Sequence, residues 1–177
     1  GIMKELKIIK DNYGNEVVVL PKILFNNKQN IDWNEVECYL QRYVGELVEI
    51  VKTKDRIYIG NKFPDEYSNS RYTRSMKGAR AKAKANAAQG IKEMIEIASQ
   101  KVFCENHKQK HSEDAKNGWY YYITRFAVPL YDNKERTGLY NIYSANLIIN
   151  QASNGRMYLY DIVDIKKEAS NPLKTNE

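Results

Sequence analysis

Three runs of aromatic and β-branched residues in the last third of the chain, Trp119 to Leu130, Leu139 to Asn150 and Arg156 to Ile165, constrain the fold most strongly. Such side chains lose rotamer freedom against a helical turn and pack well on a pleated surface. Asp132-Asn133 separates the first two runs. Asn154-Gly155 separates the last two, and this pair suits a tight turn with positive φ at both central positions. The spacing predicts an antiparallel meander. On its second strand Tyr143, Ala145, Leu147 and Ile149 face one way, and Ser144, Asn146 and Ile148 the other.

Ahead of the meander the period changes. Leu6 to Ile9 and Val17 to Leu20 flank the turn-forming stretch Asp11 to Asn15, which predicts a hairpin. Asp32 and Glu35 have the spacing of a capping box, and Trp33, Val36, Tyr39, Leu40 and Tyr43 recur at helical intervals, so a helix over 33–44 ends at Gly45. Two short strands follow at 47–51 and 56–59, then a polar loop at 61–73. From Ser75 to Ala98, Met76, Ala79, Ala83, Ala87, Ile91, Met94 and Ala98 form one stripe, with Lys77, Arg80 and Lys84 on a neighbouring edge. Gly90 kinks or divides this helix. The fold class is α+β: helices packed on a C-terminal antiparallel meander of about four strands, with a small N-terminal β/α extension. The extension spans residues 1–65, the main domain 66–168 and a polar tail 169–177. A chain of 20.6 kDa with 42% hydrophobic residues buries about 70% of its unfolded surface, enough to fold without a metal or disulfide.

Charge is distributed unevenly. The chain carries 28 basic and 22 acidic side chains, a net +6, but residues 71–111 alone carry +7 and the remainder −1. A local excess of this kind favours a polyanionic partner through phosphate contacts and counterion release, or it is a solvated helix surface. No window reaches the ~18 consecutive apolar residues of a membrane span, and no signal-peptide pattern opens the chain. The only two cysteines, Cys38 and Cys104, sit far apart in sequence, which argues against a disulfide framework. These features predict a soluble protein of a reducing, cytoplasmic compartment with no membrane partner. There is no phosphate-binding P-loop, no dinucleotide glycine fingerprint and no glycine-flanked serine, so nucleotide hydrolysis and serine esterase chemistry lack support.

The chemistry-bearing side chains are few. His107 and His111 are the only histidines, the natural proton carriers at neutral pH. Their four-residue spacing also suits a metal pair, but Lys108 and Lys110 disfavour a divalent cation and no third ligand beyond Cys104 is evident, so no metal or other cofactor is expected. Arg125, between Ile123 and Phe126 on a predicted strand, must reach solvent, an anion or a carboxylate such as Asp161 or Asp164. Ser144 and Asn146 share one face of the neighbouring strand, where hydroxyl, amide and guanidinium could converge on a phosphate. Asp161 either orients a basic residue or ends its strand. The 14 tyrosines suit base stacking or half-buried packing equally well.

Taken together, Lys82 to Ile91, Lys110-His111, Gly118-Trp119-Tyr120, Arg125 to Pro129 and Tyr158 to Ile162 resemble, in their order, a domain of phage and mobile-element polyvalent proteins. That domain belongs with the barnase, EndoU, colicin and RelE-like nucleases. The resemblance covers about residues 70–168 and extends more weakly from Ile31 to Asp65. It implies helices packed on a four-stranded antiparallel sheet with a metal-independent ribonuclease site on the open face. There a base deprotonates the ribose 2′-hydroxyl, which attacks the adjacent phosphate. Carried onto this chain, His111 is the acid or base, Arg125 the phosphate clamp, and Ser144 and Asp161 the positioning groups. Lys77, Arg80, Lys84, Lys108 and Lys110 hold the RNA backbone. No glutamate base stands out, a departure from the barnase pattern. Two functions remain open: a toxin-type endoribonuclease acting on RNA, tRNA included, or a catalytically inactive module that binds nucleic acid or protein. The implied protein partners are a cognate immunity protein or a phage structural protein.

Overall fold

The computed structural model describes residues 5–26, 30–104, 118–168 and 173–174. The predicted hairpin forms from β1 (Ile8–Lys10) and β2 (Glu16–Val19). Asp11 organises its turn by accepting the backbone N–H groups of Tyr13 at 2.8 Å and Asn15 at 2.9 Å. α1 (Trp33–Leu40) starts where Asp32 accepts the Asn34 N–H at 3.0 Å, and it tightens into a 3-10 turn over Gln41–Tyr43. β3 (Leu47–Glu49) and β4 (Arg56–Tyr58) pair antiparallel.

The stretch expected as a loop over 61–73 instead holds α2 (Phe63–Asn69) and the start of α3 (Arg71–Ser75). Its polar residues are helix-start chemistry: Pro64 in the first turn of α2 with Asp65 and Glu66, and Ser70 accepting the Thr73 N–H at 3.2 Å to cap α3. The predicted long helix is divided at Gly90 into α4 (Gly78–Ala87), a 3-10 turn over Ala88–Gly90 and α5 (Ile91–Glu96). β5 (Ser99–Cys104) follows, then β6 (Trp119–Asp132), β7 (Glu135–Gln151), β8 (Met157–Lys167) and β9 (Leu173–Lys174).

The sheet is larger than a four-stranded C-terminal meander. Its hydrogen-bonded path runs β1-β2-β6-β7-β8-β4-β3, with β5 added to β6 and β9 to β7. The meander β6-β7-β8 is its centre, and the first 65 residues join it from both sides through parallel pairings. Val18 lies opposite Phe126 on one side, and Ile57 opposite Met157 on the other. These pairings span about a hundred residues of sequence and involve strands too short to show a period. Leu173 and Lys174, expected in a polar tail, pair with Tyr140 and Leu139.

One face of the sheet carries the helices. Tyr143, Ala145, Leu147 and Ile149 of β7 are buried there together with Ala83, Ala87, Ile91 and Met94, as the alternation predicts. On the other face a smaller cluster joins Trp119, Ile148 and Val163. The β7–β8 register slips twice, between Ser144 and Asn146 and between Ile148 and Ile149. The second slip inserts Tyr160, since Ile149 faces Leu159 while Ile148 faces Asp161. Beyond Tyr158, β8 runs past the end of its pairing with β4. There Tyr72 of α3 reaches it, its hydroxyl accepting the Ile165 N–H at 2.8 Å. Among the described residues no helix is long and apolar enough to cross a membrane.

Candidate nucleic-acid interface

Between α2 and α4 the backbone makes three quick reversals that gather cations at one place. Ser70 ends α2 and begins α3, Met76 is extended, and α4 starts after Lys77 through Gly78 at φ +65, a conformation that favours glycine. Arg71, Arg74, Lys77 and Arg80 are exposed around this junction, with Lys82 half-buried beside them. Among the described residues none of the five forms an ion pair; Arg74 spends its Nε on the Asn69 carbonyl at 3.1 Å. α4 has no side-chain cap and no acidic residue in its first turn. Its free N–H groups carry the positive end of the helix dipole, and Lys77 and Arg80 add to that charge. Each such like-signed placement costs about 0.3–1 kcal/mol unless an anion is present.

A cavity of about 600 Å³ opens at this point, with Trp33, Ser68, Asn69, Arg74, Lys77 and Lys82 in its wall and no carboxylate among its lining residues. Glu37 and Asp65 lie nearby, and each accepts the Asn69 Nδ2 at 2.8 Å. Ser68 is 1% exposed, and among the described residues its hydroxyl has no hydrogen-bond partner. The arrangement is chemically suited to an anion with oxygen acceptors.

Lys84 corrects the expectation of a continuous cationic edge. It is 0% exposed and cannot touch a nucleic-acid backbone. Its ammonium lies 2.7 Å from Asp161 Oδ1, and 4.5 and 5.0 Å from the ring centroids of Tyr67 and Tyr72. Asp161 also accepts the Ile162 N–H at 2.7 Å and bonds the Ser70 hydroxyl. Burial holds the Lys84 amine below its usual pKa range, with Asp161 opposing the shift. Burial likewise raises the Asp161 carboxyl against the pull of Lys84. Asp161 therefore orients a basic residue, one of the two roles its sequence context allowed, but that residue belongs to the core.

Arg125 stands on the opposite face from the helices, and its Nε donates to Glu168 Oε1 at 2.9 Å. The carboxylate partner is thus neither Asp161 nor Asp164. Asp164 accepts the Asn146 amide at 2.9 Å instead. Ser144 is the direct cross-strand neighbour of Arg125 and also faces Lys166. Among the described residues no hydrogen bond joins Asp161 to Arg125 or Ser144, and Asp161 is buried against Lys84 instead. His111, His107, Lys108 and Lys110 lie outside the described residues. Tyr43, Tyr67, Tyr122, Tyr140 and Tyr143 are buried, which fits their packing role.

Sequence reasoning missed Trp33, Ser68, Arg74 and Lys82 as a group. Pro64-Asp65-Glu66 signals α2 and would have placed Ser68 on a helix, but no periodicity brings Trp33 beside Lys77. A second unsatisfied buried atom, Asn150 Oδ1, borders a cavity of about 250 Å³ walled by Tyr158 and Tyr160. Comparisons with protein-family models, with curated proteins and with solved structures give no match to this chain.

Proposed function

We propose that this chain binds nucleic acid, with single-stranded RNA the expected ligand, through the junction of α3 and α4. The supporting observation is that Arg71, Arg74, Lys77, Arg80 and Lys82 gather around an uncapped helix start, with no carboxylate lining the cavity there. Surfaces that keep unpaired cations together repel themselves, and a polyanion relieves that repulsion while releasing counterions. The test is anisotropy of a labelled oligoribonucleotide across a salt series. Every phosphate left without its cation in Arg71→Glu or Arg80→Glu lowers the log–log salt slope by about 0.7 for a single strand. Affinity and slope unchanged in both variants would exclude this junction as the interface.

A second reading, metal-independent endoribonuclease activity, is favoured by one observation on the opposite face. Arg125, Ser144 and Lys166 occupy one rung across β6, β7 and β8, aligning guanidinium, hydroxyl and ammonium. On this reading, RNA cleavage persists in chelator and disappears in Arg125→Ala. Cleavage retained in that variant would remove the guanidinium from the mechanism.

A further inference from the structure

We infer that the cavity at the start of α4 is a seat for a phosphate monoester, the terminal phosphate of a nucleic-acid strand. The inference deepens the nucleic-acid reading and rests on it for what carries the phosphate. Three independent features converge on the cavity. The first is the helix terminus: α4 is ten residues long, its opening N–H groups have no side-chain cap, and Gly78 at φ +65 turns the backbone into it. Amides so placed bind oxyanions directly. The second is Ser68, a lining residue 1% exposed whose hydroxyl finds no partner among the described residues. A buried hydroxyl without a partner is rare, and a phosphate oxygen would accept its proton.

The third is charge. Arg74, Lys77 and Lys82 line the cavity together with no carboxylate, and the neighbouring acids Glu37 and Asp65 are engaged by the Asn69 amide. An internal phosphodiester brings one negative charge, whereas a terminal monoester brings close to two at neutral pH. Three cations and a helix terminus match the second better. Trp33, half-buried in the same wall, supplies an aromatic group of the kind on which bases stack. A volume of about 600 Å³ falls within the ~300–1,000 Å³ typical of sites for small organic ligands, ample for one nucleotide.

The experiment titrates the whole chain with one short oligoribonucleotide in three forms: 5′-phosphorylated, 3′-phosphorylated and unphosphorylated. Inorganic phosphate and a nucleoside monophosphate serve as further probes. Calorimetry gives affinity, and quenching of tryptophan fluorescence reports Trp33, because the other tryptophan, Trp119, is 1% exposed. One phosphorylated end should bind about tenfold or more tightly than the hydroxyl form, with quenching, and Ser68→Ala should erase most of that gain. Lys77→Gln, an exposed substitution, should reduce the same gain without burdening the core. Equal affinity for all three oligonucleotides would overturn the seat and leave the nucleic-acid reading standing. Binding of phosphate or mononucleotide with no oligonucleotide bound would overturn the nucleic-acid reading while keeping the anion at α4. A gain that survives both substitutions would place the phosphate elsewhere.

Discussion

Removing Asp161 should destabilise the protein far more than removing Asp161 and Lys84 together. In Asp161→Ala the fully buried Lys84 ammonium loses the carboxylate 2.7 Å away and keeps only two tyrosine rings at 4.5 and 5.0 Å. Breaking one side of a buried pair costs about 3–5 kcal/mol. For a chain of this size each kcal/mol lowers Tm by roughly 2–4 °C, so the expected drop is about 6–20 °C. Lys84→Met/Asp161→Leu removes both charges at similar volume and should fall within about 1 kcal/mol of the parent or exceed it. In the single variant a pH dependence of known sign also widens. Burial already holds the Lys84 pKa down, and Asp161 is the group that opposes it. Without Asp161 the unfolded chain binds a proton that the folded chain releases, so stability rises with pH between the two pKa values. Urea denaturation followed by circular dichroism from pH 6 to 10 measures all of this. A double variant as destabilised as the sum of its single variants, or an Asp161→Ala loss below about 1 kcal/mol, would refute the coupling.

Three further expectations rest on particular side chains. The Tyr122 hydroxyl donates to Asp55 Oδ2 at 2.6 Å. Burial raises the Asp55 pKa, but hydrogen bonds from Tyr122, Thr53 and Lys101 lower it further, so its contribution is present above 3.8 and fades as acid titrates the folded carboxylate. Tyr122→Phe should therefore cost about 1 kcal/mol at neutral pH, a deficit that narrows in an acid titration of unfolding. Asn86 accepts the N–H groups of Leu24 at 2.7 Å and Phe25 at 3.0 Å and donates to the Phe25 carbonyl at 3.0 Å. Asn86→Ala should lose about 2–3 kcal/mol and speed hydrogen exchange at those two amides. A Cβ on Gly90 would meet Val18, Leu20 and Leu6 side chains at 3.2, 3.3 and 3.3 Å, so Gly90→Ala should cost about 1–3 kcal/mol in thermal unfolding despite the better helix propensity of alanine.

What the sequence made legible was whatever local rules decide. Asn154-Gly155 placed the β7–β8 turn, Asp132-Asn133 the β6–β7 turn, Asp32 the start of α1 and Gly90 the division between α4 and α5. The alternation along β7 was correct because each face of that strand meets a different environment. Parallel pairing of β2 and β4 to the meander was invisible, since three- and four-residue strands carry almost no pattern. The polar residues of α4 misled for a related reason. Lys84 read as part of a cationic edge, yet it binds Asp161, while Asn86 of α4 and Gln89 of the 3-10 turn, to which the sequence assigned no role, bind the backbone of residues 22–25. Their partners lie more than sixty residues away in sequence, beyond any helical or strand period.

The burial of Lys84 alters how the basic stretch can meet a ligand. With Lys77, Arg80 and Lys84 all at the surface, α4 would offer a stripe along its length, and a nucleic-acid backbone could lie parallel to the helix. With Lys84 in the core, the exposed charge of α4 ends near Lys82, and the next basic residue in sequence is Lys92. The positive field is then concentrated at the helix start, where Arg71 and Arg74 of α3 and the terminal N–H groups reinforce it. Clefts lined by one sign of charge focus the field and raise the local concentration of counter-ions. On the proposed nucleic-acid reading, this placement suits end-on capture at α4 rather than lengthwise docking. The same Asp161 that takes Lys84 out of the surface helps fix the helix whose start presents the remaining charge.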